Sequence, residues 1–482
     1  MSIQTVSKMS LDFFPKKKIE FESTNMLLTS DAGLLPIRQL DESLQLTQLF
    51  TAALDDSRRQ NSVQHSFLEM VRSRIYGILA DYPDQNDHEV LRCDPLFKMI
   101  AGQSPDSEKH LACQATLSRF ENGITLNSLK QLEEIFIEQF IDSFDEPPST
   151  LTFDVDAFDD PTHGQQQLTL FHGFYDQYQY LPVVWTCAET DAVVMLKLLW
   201  GSADVSHGIE DDIERLVTRL RAKFPDVRII IRADAGYAKP VNYRTCEDLS
   251  IEYSIGFSMN KVLIKEGKTL LLQAIEQYEA TGIKQRLFHS FLYQAKGWRH
   301  ARQVILKVEY GIEGVNRRVV VTNRPGAAMV SEGIYDDYSD RGESENRNKE
   351  LKCGLQADRL SDHRYMANLF RLNLHCAAHN LLVRSRKLIA DPPVEKTSEG
   401  IPPEAQSEYV RRGHQNRRRQ RDPLGEGQPC TWRSRLIKVA ALIEVSCRRI
   451  VVRLARHWPY LAHLKKFCTV AMSVSTAGRP PD

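Results

Sequence analysis

Three acidic segments carry the chemistry this chain suggests. "LTFDVDAFDDP" contains Asp154 and Asp156, "VRIIIRADAGY" contains Asp234, and "YSDRGESENRNKELK", Tyr338 to Lys352, holds Glu343, Glu345 and Glu350. Strand side chains repeat every two residues, so Asp154 and Asp156 share a face. In open α/β sheets sites collect beyond the carboxyl ends of strands, where Asp156 and Asp234 on adjacent strands would converge. Carboxylates placed so closely repel unless a cation lies between them, and hard oxygen donors favour magnesium or manganese over zinc. The plainer alternatives are a turn or helix cap for each strand-end Asp and a solvated helix with pairs such as Glu345 with Lys349 for the charged stretch.

These side chains need elements to hold them. Residues 1–148 read as a mainly helical domain, because "SVQHSFLEMVRSRIYGILADY" and "TLNSLKQLEEIFIEQFIDSF" space apolar residues at helical intervals. "DEPPST" then breaks the pattern. From 149 to 390 short apolar runs alternate with helical stretches, the order of an α/β sheet of mixed direction, with a β-rich insertion at about 259–330. In the charged stretch Asp340 suits a helix cap, with Glu343 completing a capping box. At about 100° per residue, Arg341, Glu345 and Lys352 fall within an arc of about 40°, with Tyr338 close to the same line and Glu350 pointing elsewhere. Residues 391–430, rich in Pro, Gly and charge, read as a flexible basic linker. Residues 431–482 read as a basic helical C-terminal segment, with "RSRLIKVAALIEVSCRRIVVRLARHW" as an amphipathic run.

Tyr338, Arg341, Glu345 and Lys352 fit the pattern Y-(2)-R-(3)-E-(6)-K without a gap, and this resembles the signature around the catalytic glutamate of bacterial insertion-sequence DDE transposases. "FDVDAFDDPTHGQQQ", "YLPVV", "RADAGYA", "HEVLRCDPLFK" and "ATLSRFEN" further resemble the family typed by insertion sequence 1380. The resemblance implies a ribonuclease-H-like catalytic core, with the β-rich insertion between the second aspartate and the glutamate. It also implies a catalytic and metal-binding set of Asp156, Asp234 and Glu345 around two Mg2+ or Mn2+ ions. The family commonly has D-x-T at the first carboxylate, whereas here Asp156 and Ala157 are followed by Phe158. Asp156 occupies the D of that pattern, and Asp154 stays open as the alternative first ligand. The implied activity is cleavage at element ends and strand transfer into target DNA by two-metal phosphoryl transfer. Arg341 and Lys352 would hold DNA phosphates, and Tyr338 would meet a sugar, support Arg341, or pack against the insertion. Three rivals remain: a related nuclease without strand transfer, an inactivated transposase that acts as a DNA-binding repressor, and a structural interaction protein whose charged helix is merely surface.

Charge agrees with a polyanionic partner. Tyr409 to Val470 holds 15 Lys or Arg residues against three acids, a balance of +12 that leaves −13 elsewhere in a chain of net charge −1. Arg411, Arg412, Arg417, Arg418, Arg419 and Arg421 would neutralise phosphates of double-stranded DNA, both terminal inverted repeats and target. Their bland alternative is a solvated linker, and the basic segment Arg433 to Trp458 has a membrane surface as its second choice. "ATLSRFENG" offers Thr116, Ser118 and Arg119 to a groove, or is a plain structural helix. His163 lies close after Asp156 in the chain and is either near the metals or structural. Handling two ends at once suggests a homodimer on DNA. Nine scattered cysteines without a CxxC pair predict neither disulfides nor structural zinc. With no signal-like or membrane-length apolar run, a cytoplasmic, nucleoid-associated protein without membrane contact is expected.

Overall fold

The computed structural model describes residues 9–162, 164–390, 424 and 428–477. Two short strands, β1 (Met9–Leu11) and β2 (Ile19–Phe21), pair with each other and precede β3 (Leu27–Thr29). Helices then follow: α1 (Leu34–Leu44), α2 (Leu46–Ala52), α3 (Phe67–Leu79), α4 (His88–Leu91), α5 (Pro95–Ala101), α6 (Gln114–Asn122) and α7 (Leu126–Ile141). Their starts are written locally. Ser66 accepts the Glu69 N–H ahead of α3, Asp94 accepts the Leu96 and Phe97 N–H groups beside Pro95, and Thr125 caps α7.

Next come β4 (Thr150–Ala157), β5 (Asp160–Pro161), β6 (Leu170–His172), β7 (Gln177–Cys187), β8 (Val193–Trp200), α8 (Ile209–Lys223), β9 (Arg228–Ala233), α9 (Pro240–Asp248) and β10 (Glu252–Phe257). Helices α10 (Lys261–Glu266) and α11 (Lys268–Thr281) lead to β11 (Gln285–Tyr293), β12 (Arg302–Gly311) and β13 (Gly314–Thr322). After these come α12 (Ser331–Ser339), α13 (Gly342–Lys349), a π-helical turn Glu350–Gly354 and α14 (Tyr365–Ile389). The chain closes with α15 (Pro429–Trp432), a second π-helical turn Arg433–Ile437, β14 (Ala441–Ser446), β15 (Arg449–Leu454) and α16 (Leu461–Ala477).

Among the described residues the main sheet has ten strands. Its centre runs β8, β7, β4, β9, β10. The strands β4, β9 and β10 are mutually parallel, while β4–β7 and β7–β8 are antiparallel. Strand β13 pairs antiparallel with β10 and carries β12 and β11 outward, so the residues of the expected β-rich insertion extend the same sheet. The protein is thus a mixed α/β fold with one large mixed sheet.

Leu151, Phe153 and Val155 alternate into one face of β4 and join a core with α8, α9 and β9. A second core unites α1 to α7 with α14, whose Phe370, Leu374, Ala377, Ala378 and Leu381 are fully or almost fully buried. A helix buried on nearly every side needs apolar or paired residues all round, and α14 supplies them.

The C-terminal segment is not the continuous basic helix expected from its periodicity. Ala441–Ser446 and Arg449–Leu454 form an antiparallel hairpin, and β14 also pairs with β3, Ala441 opposite Thr29. The physical reason is β-branched content in "ALIEVS" and "RIVVRL" together with the open edge of β3, which offers backbone partners a lone helix would leave unpaired. Residues 431–437 and α16 keep the helical reading. Among the described residues no helix is long and apolar enough to cross a membrane, and none of the cysteines forms a disulfide.

Candidate active site

Strand register brings the two aspartates together. Asp154 pairs with Arg232 and Val155 with Ala233 across the parallel β4–β9 ladder, so Asp156 and Asp234 follow side by side at the carboxyl ends. Burial pushes the Asp156 carboxyl up to about 6, with the Asp234 charge adding to the shift and the Arg341 guanidinium opposing it. Asp156 Oδ1 accepts the Ala157 N–H at 2.9 Å and its Oδ2 accepts the Ser344 hydroxyl at 3.2 Å. Asp234 caps the turn after β9 by accepting the Gly236 N–H at 2.8 Å. It therefore fills the turn-former role weighed for it while also facing Asp156.

The segment bearing Glu345 reaches the site as α13. Ser344, Arg347 and Asn348, continued by Leu351 in the π-helical turn, form its buried face, a spacing of three and four residues. Glu345 lies off that face, its side chain 69% exposed, and its Oε1 stands 3.5 Å from Arg341 Nη2. Arg341 Nη1 in turn stands 3.6 Å from Asp156 Oδ2. The guanidinium thus links the glutamate to the strand aspartate. Burial works against its charge, but Tyr338, Asp156, Asp234 and Glu345 outweigh burial and raise its pKa. Among the described residues no three His, Cys, Asp or Glu side chains are grouped as metal ligands. The aspartate pair is brought together, and Glu345 joins it only through Arg341.

Asp154 sits differently from its neighbour two residues on. It is fully buried, and Arg232 Nε and Nη2 donate to its two oxygens at 2.7 and 2.9 Å. Arg347 Nη1 adds a third contact at 3.2 Å, while Arg347 Nε reaches Asp191 at 2.7 Å. This ion cluster ties β4 and β9 to α13. Sequence reading passes over Arg232, Arg347, Asp191 and Ser344; the available signal is the arginine two residues before Asp234, inside an apolar strand.

The expected cap of α13 is not formed. Asp340 has helical backbone, φ −64° and ψ −14°, so α12 runs almost directly into α13. The first-turn N–H groups of Glu343 and Ser344 go to the Asp340 and Arg341 carbonyls instead. Beyond α13 the π-helical turn carries Lys352 to Asp159, with which it forms an ion pair, and Asp159 also accepts from Gln177. Burial would raise the Asp159 carboxyl, but Lys352 holds it below the usual carboxylate range. Glu350, the acid pointing elsewhere, is buried against Arg386 at 2.9 Å.

Tyr338 lies on the β12 and β13 side, against a small core with Ile305, Val320, Ile334 and Tyr335. Its hydroxyl passes over Gly256, where a Cβ would come within 2.5 Å of it and 3.1 Å of the Ala235 nitrogen. Burial raises the pKa of the Tyr338 hydroxyl and the neighbouring Arg341 opposes it, which joins the packing and supporting roles. The Tyr237 hydroxyl is buried near Asp156 and Asp234 with no hydrogen-bond partner among the described residues.

Of the remaining expected residues, Thr116 and Ser118 are half-buried on α6 and Arg119 is exposed. His163 and the cluster Arg411, Arg412, Arg417, Arg418, Arg419 and Arg421 lie outside the described residues.

A pH-dependent cost follows from Asp156. Its folded pKa lies above the 3.8 of an unperturbed carboxyl, so ionising it opposes folding. The penalty is absent at lower pH, grows as pH rises from 3.8, and is complete above about 6. Asp156→Asn is expected to stabilise the protein without divalent ions by about 3 kcal/mol above that range, the gain vanishing on acidification. Thermal unfolding of both proteins across pH checks this, and equal curves would refute it.

The arrangement offers a half-buried aspartate pair and an exposed glutamate with Arg341 between them, while Lys352 pairs with Asp159. Among curated proteins no sequence matches this chain. A solved structure similar to it is the piggyBac transposase in a cryo-EM synaptic complex with hairpin DNA, with 13% identity, a TM-score of 0.39, and coverage of 85% of this chain and 86% of that one. Residues 12–398 match the family described as "Transposase DDE domain group 1", and the chain belongs to that family.

Proposed function

We propose that this protein is an insertion-sequence DNA transposase that cuts at element ends and joins them to target DNA, within the family typed by insertion sequence 1380. The observation that carries the reading is the placement of Asp156 and Asp234 at the ends of adjacent parallel strands, with the helix bearing Glu345 packed beside them. The strand order β8, β7, β4, β9, β10, a three-strand meander followed by parallel strands, supports a ribonuclease-H-like core.

The donor set fits hard divalent cations. It consists of carboxylate oxygens, and burial together with the Asp234 charge raises Asp156, a penalty that a bound cation would relieve. In this reading Asp156, Asp234 and Glu345 hold two Mg2+ or Mn2+ ions, and Asp154 is not a ligand because both its oxygens serve buried arginines. When bound, such ions supply Lewis-acid activation of water or a DNA 3′-hydroxyl and stabilise the leaving oxygen of an in-line displacement. Ser344 orients Asp156 through its hydroxyl. Arg341 and Lys352 leave their carboxylate partners to hold phosphates beside the cut.

Duplex DNA, as terminal repeats and as target, is the partner, and two copies of the chain act on paired ends. Residues 1–148 serve end recognition, 149–390 catalysis, and the basic stretches 391–430 and 431–482 backbone contact. Phe158, where the family commonly has threonine, keeps the repressor reading as the second. Its ring is buried in the core shared with the N-terminal helices.

Purified protein incubated with a duplex carrying the terminal repeats and a supercoiled target tests the proposal. With Mg2+ or Mn2+, breaks at the element boundary and joined products are expected, and EDTA should abolish both. Breaks without joining would make the protein a nuclease, and binding without breaks a repressor.

A further inference from the structure

The arginines around the carboxylates are held in two different ways. Arg232 and Arg347 grip Asp154 at 2.7 to 3.2 Å from within the interior, as fixed structural ion pairs do. Arg341 stands farther off, 3.6 Å from Asp156 and 3.5 Å from Glu345, with one nitrogen turned to each. These distances exceed those of a tight charge-assisted hydrogen bond, so the guanidinium holds the two acids by charge without being locked to either. Tyr338, lying over Gly256, supports it from the side.

We propose that Arg341 is an exchangeable internal cation, which occupies the gap between Asp156 and Glu345 until divalent ions displace it, and that its displacement delivers the guanidinium to a DNA phosphate. The inference rests on the reading of these acids as metal ligands. Asp156 Oδ2 and Glu345 Oε1 are the oxygens that Arg341 faces, and a metal ion bonding them at about 2.1 Å excludes a guanidinium from the same place. A dication there also repels it. The freed group carries parallel N–H donors suited to bidentate phosphate binding. Metal binding and DNA binding therefore reinforce each other, and by linkage the effect is reciprocal. Ser344 keeps Asp156 oriented during the exchange, since its hydroxyl bond to Oδ2 does not involve Arg341.

Calorimetric titration of the full chain with Mn2+, without DNA, tests this on the wild type, Arg341→Ala and Arg341→Met. The methionine variant keeps apolar bulk beside Tyr338, and thermal unfolding reports whether each variant is folded. Both variants are expected to bind Mn2+ about tenfold more tightly than the wild type. Added Ca2+, at fixed ionic strength, is expected to strengthen wild-type binding to terminal-repeat duplex more than that of either variant. Equal or weaker Mn2+ binding by the folded variants would overturn the exchange while leaving the metal site intact. Absence of Mn2+ binding in all three proteins, with and without DNA, would overturn the proposed function as well.

Discussion

Glu345→Gln is expected to lower DNA cleavage by roughly a thousandfold and leave thermal stability within about 0.5 kcal/mol of the wild type. The asymmetry comes from its position. Its side chain is 69% exposed and touches only the loosely held Arg341 among the site residues, so the fold does not depend on its charge. The proposed chemistry does, because an amide offers a metal one neutral oxygen in place of an anionic group. Single-turnover cleavage of a terminal-repeat duplex in Mg2+, alongside thermal unfolding, measures both quantities. Undiminished cleavage would remove Glu345 from the site and leave α13 as a charged surface helix.

Asp154→Ala is expected to do the reverse and strike the fold first. The substitution leaves Arg232 and Arg347 buried without the carboxylate that both grip. Breaking one partner out of a buried ion pair costs about 3–5 kcal/mol, and the loss here is expected near the lower end, because Arg347 keeps Asp191 and Arg232 keeps Asp337. Denaturant unfolding should show that loss directly. Were Asp154 a metal ligand instead, its removal would abolish cleavage and spare stability, so the two measurements separate the roles of acids only two residues apart.

These contrasting roles mark the limit of what the sequence discloses. Alternation places Asp154 and Asp156 on one face of a strand, and the apolar run before Asp234 announces the neighbouring strand. What alternation cannot tell is which acid meets an arginine from elsewhere in the chain. Arg347 reads as one more charge on a solvated helix, yet its partners Asp154 and Asp191 lie far back in the sequence. The spacing of Arg341, Glu345 and Lys352 is legible as a helical line, but the π-helical turn shifts its phase and gives Lys352 to Asp159. The C-terminal hairpin is hidden for a related reason. Its basic and apolar residues suit a helix, and the deciding factor is the unpaired edge of β3, near the other end of the chain.

That pairing of β3 with β14 has a consequence for synthesis. Leu27 to Thr29 meet Ile443 to Ala441, and the Gly33 N–H donates to the Ile437 carbonyl, so β3 and α1 are completed by elements made long after them. Until then the nascent chain carries an open strand edge and the apolar faces of Leu34 and Ile37 without Trp432, Leu436 and Phe467 to cover them. Shortened copies that stop before the hairpin inherit the same exposed surface, a liability for self-association. The β3 edge and the α1 face are therefore closed only once Trp432, Ala441–Ile443 and Phe467 have been made.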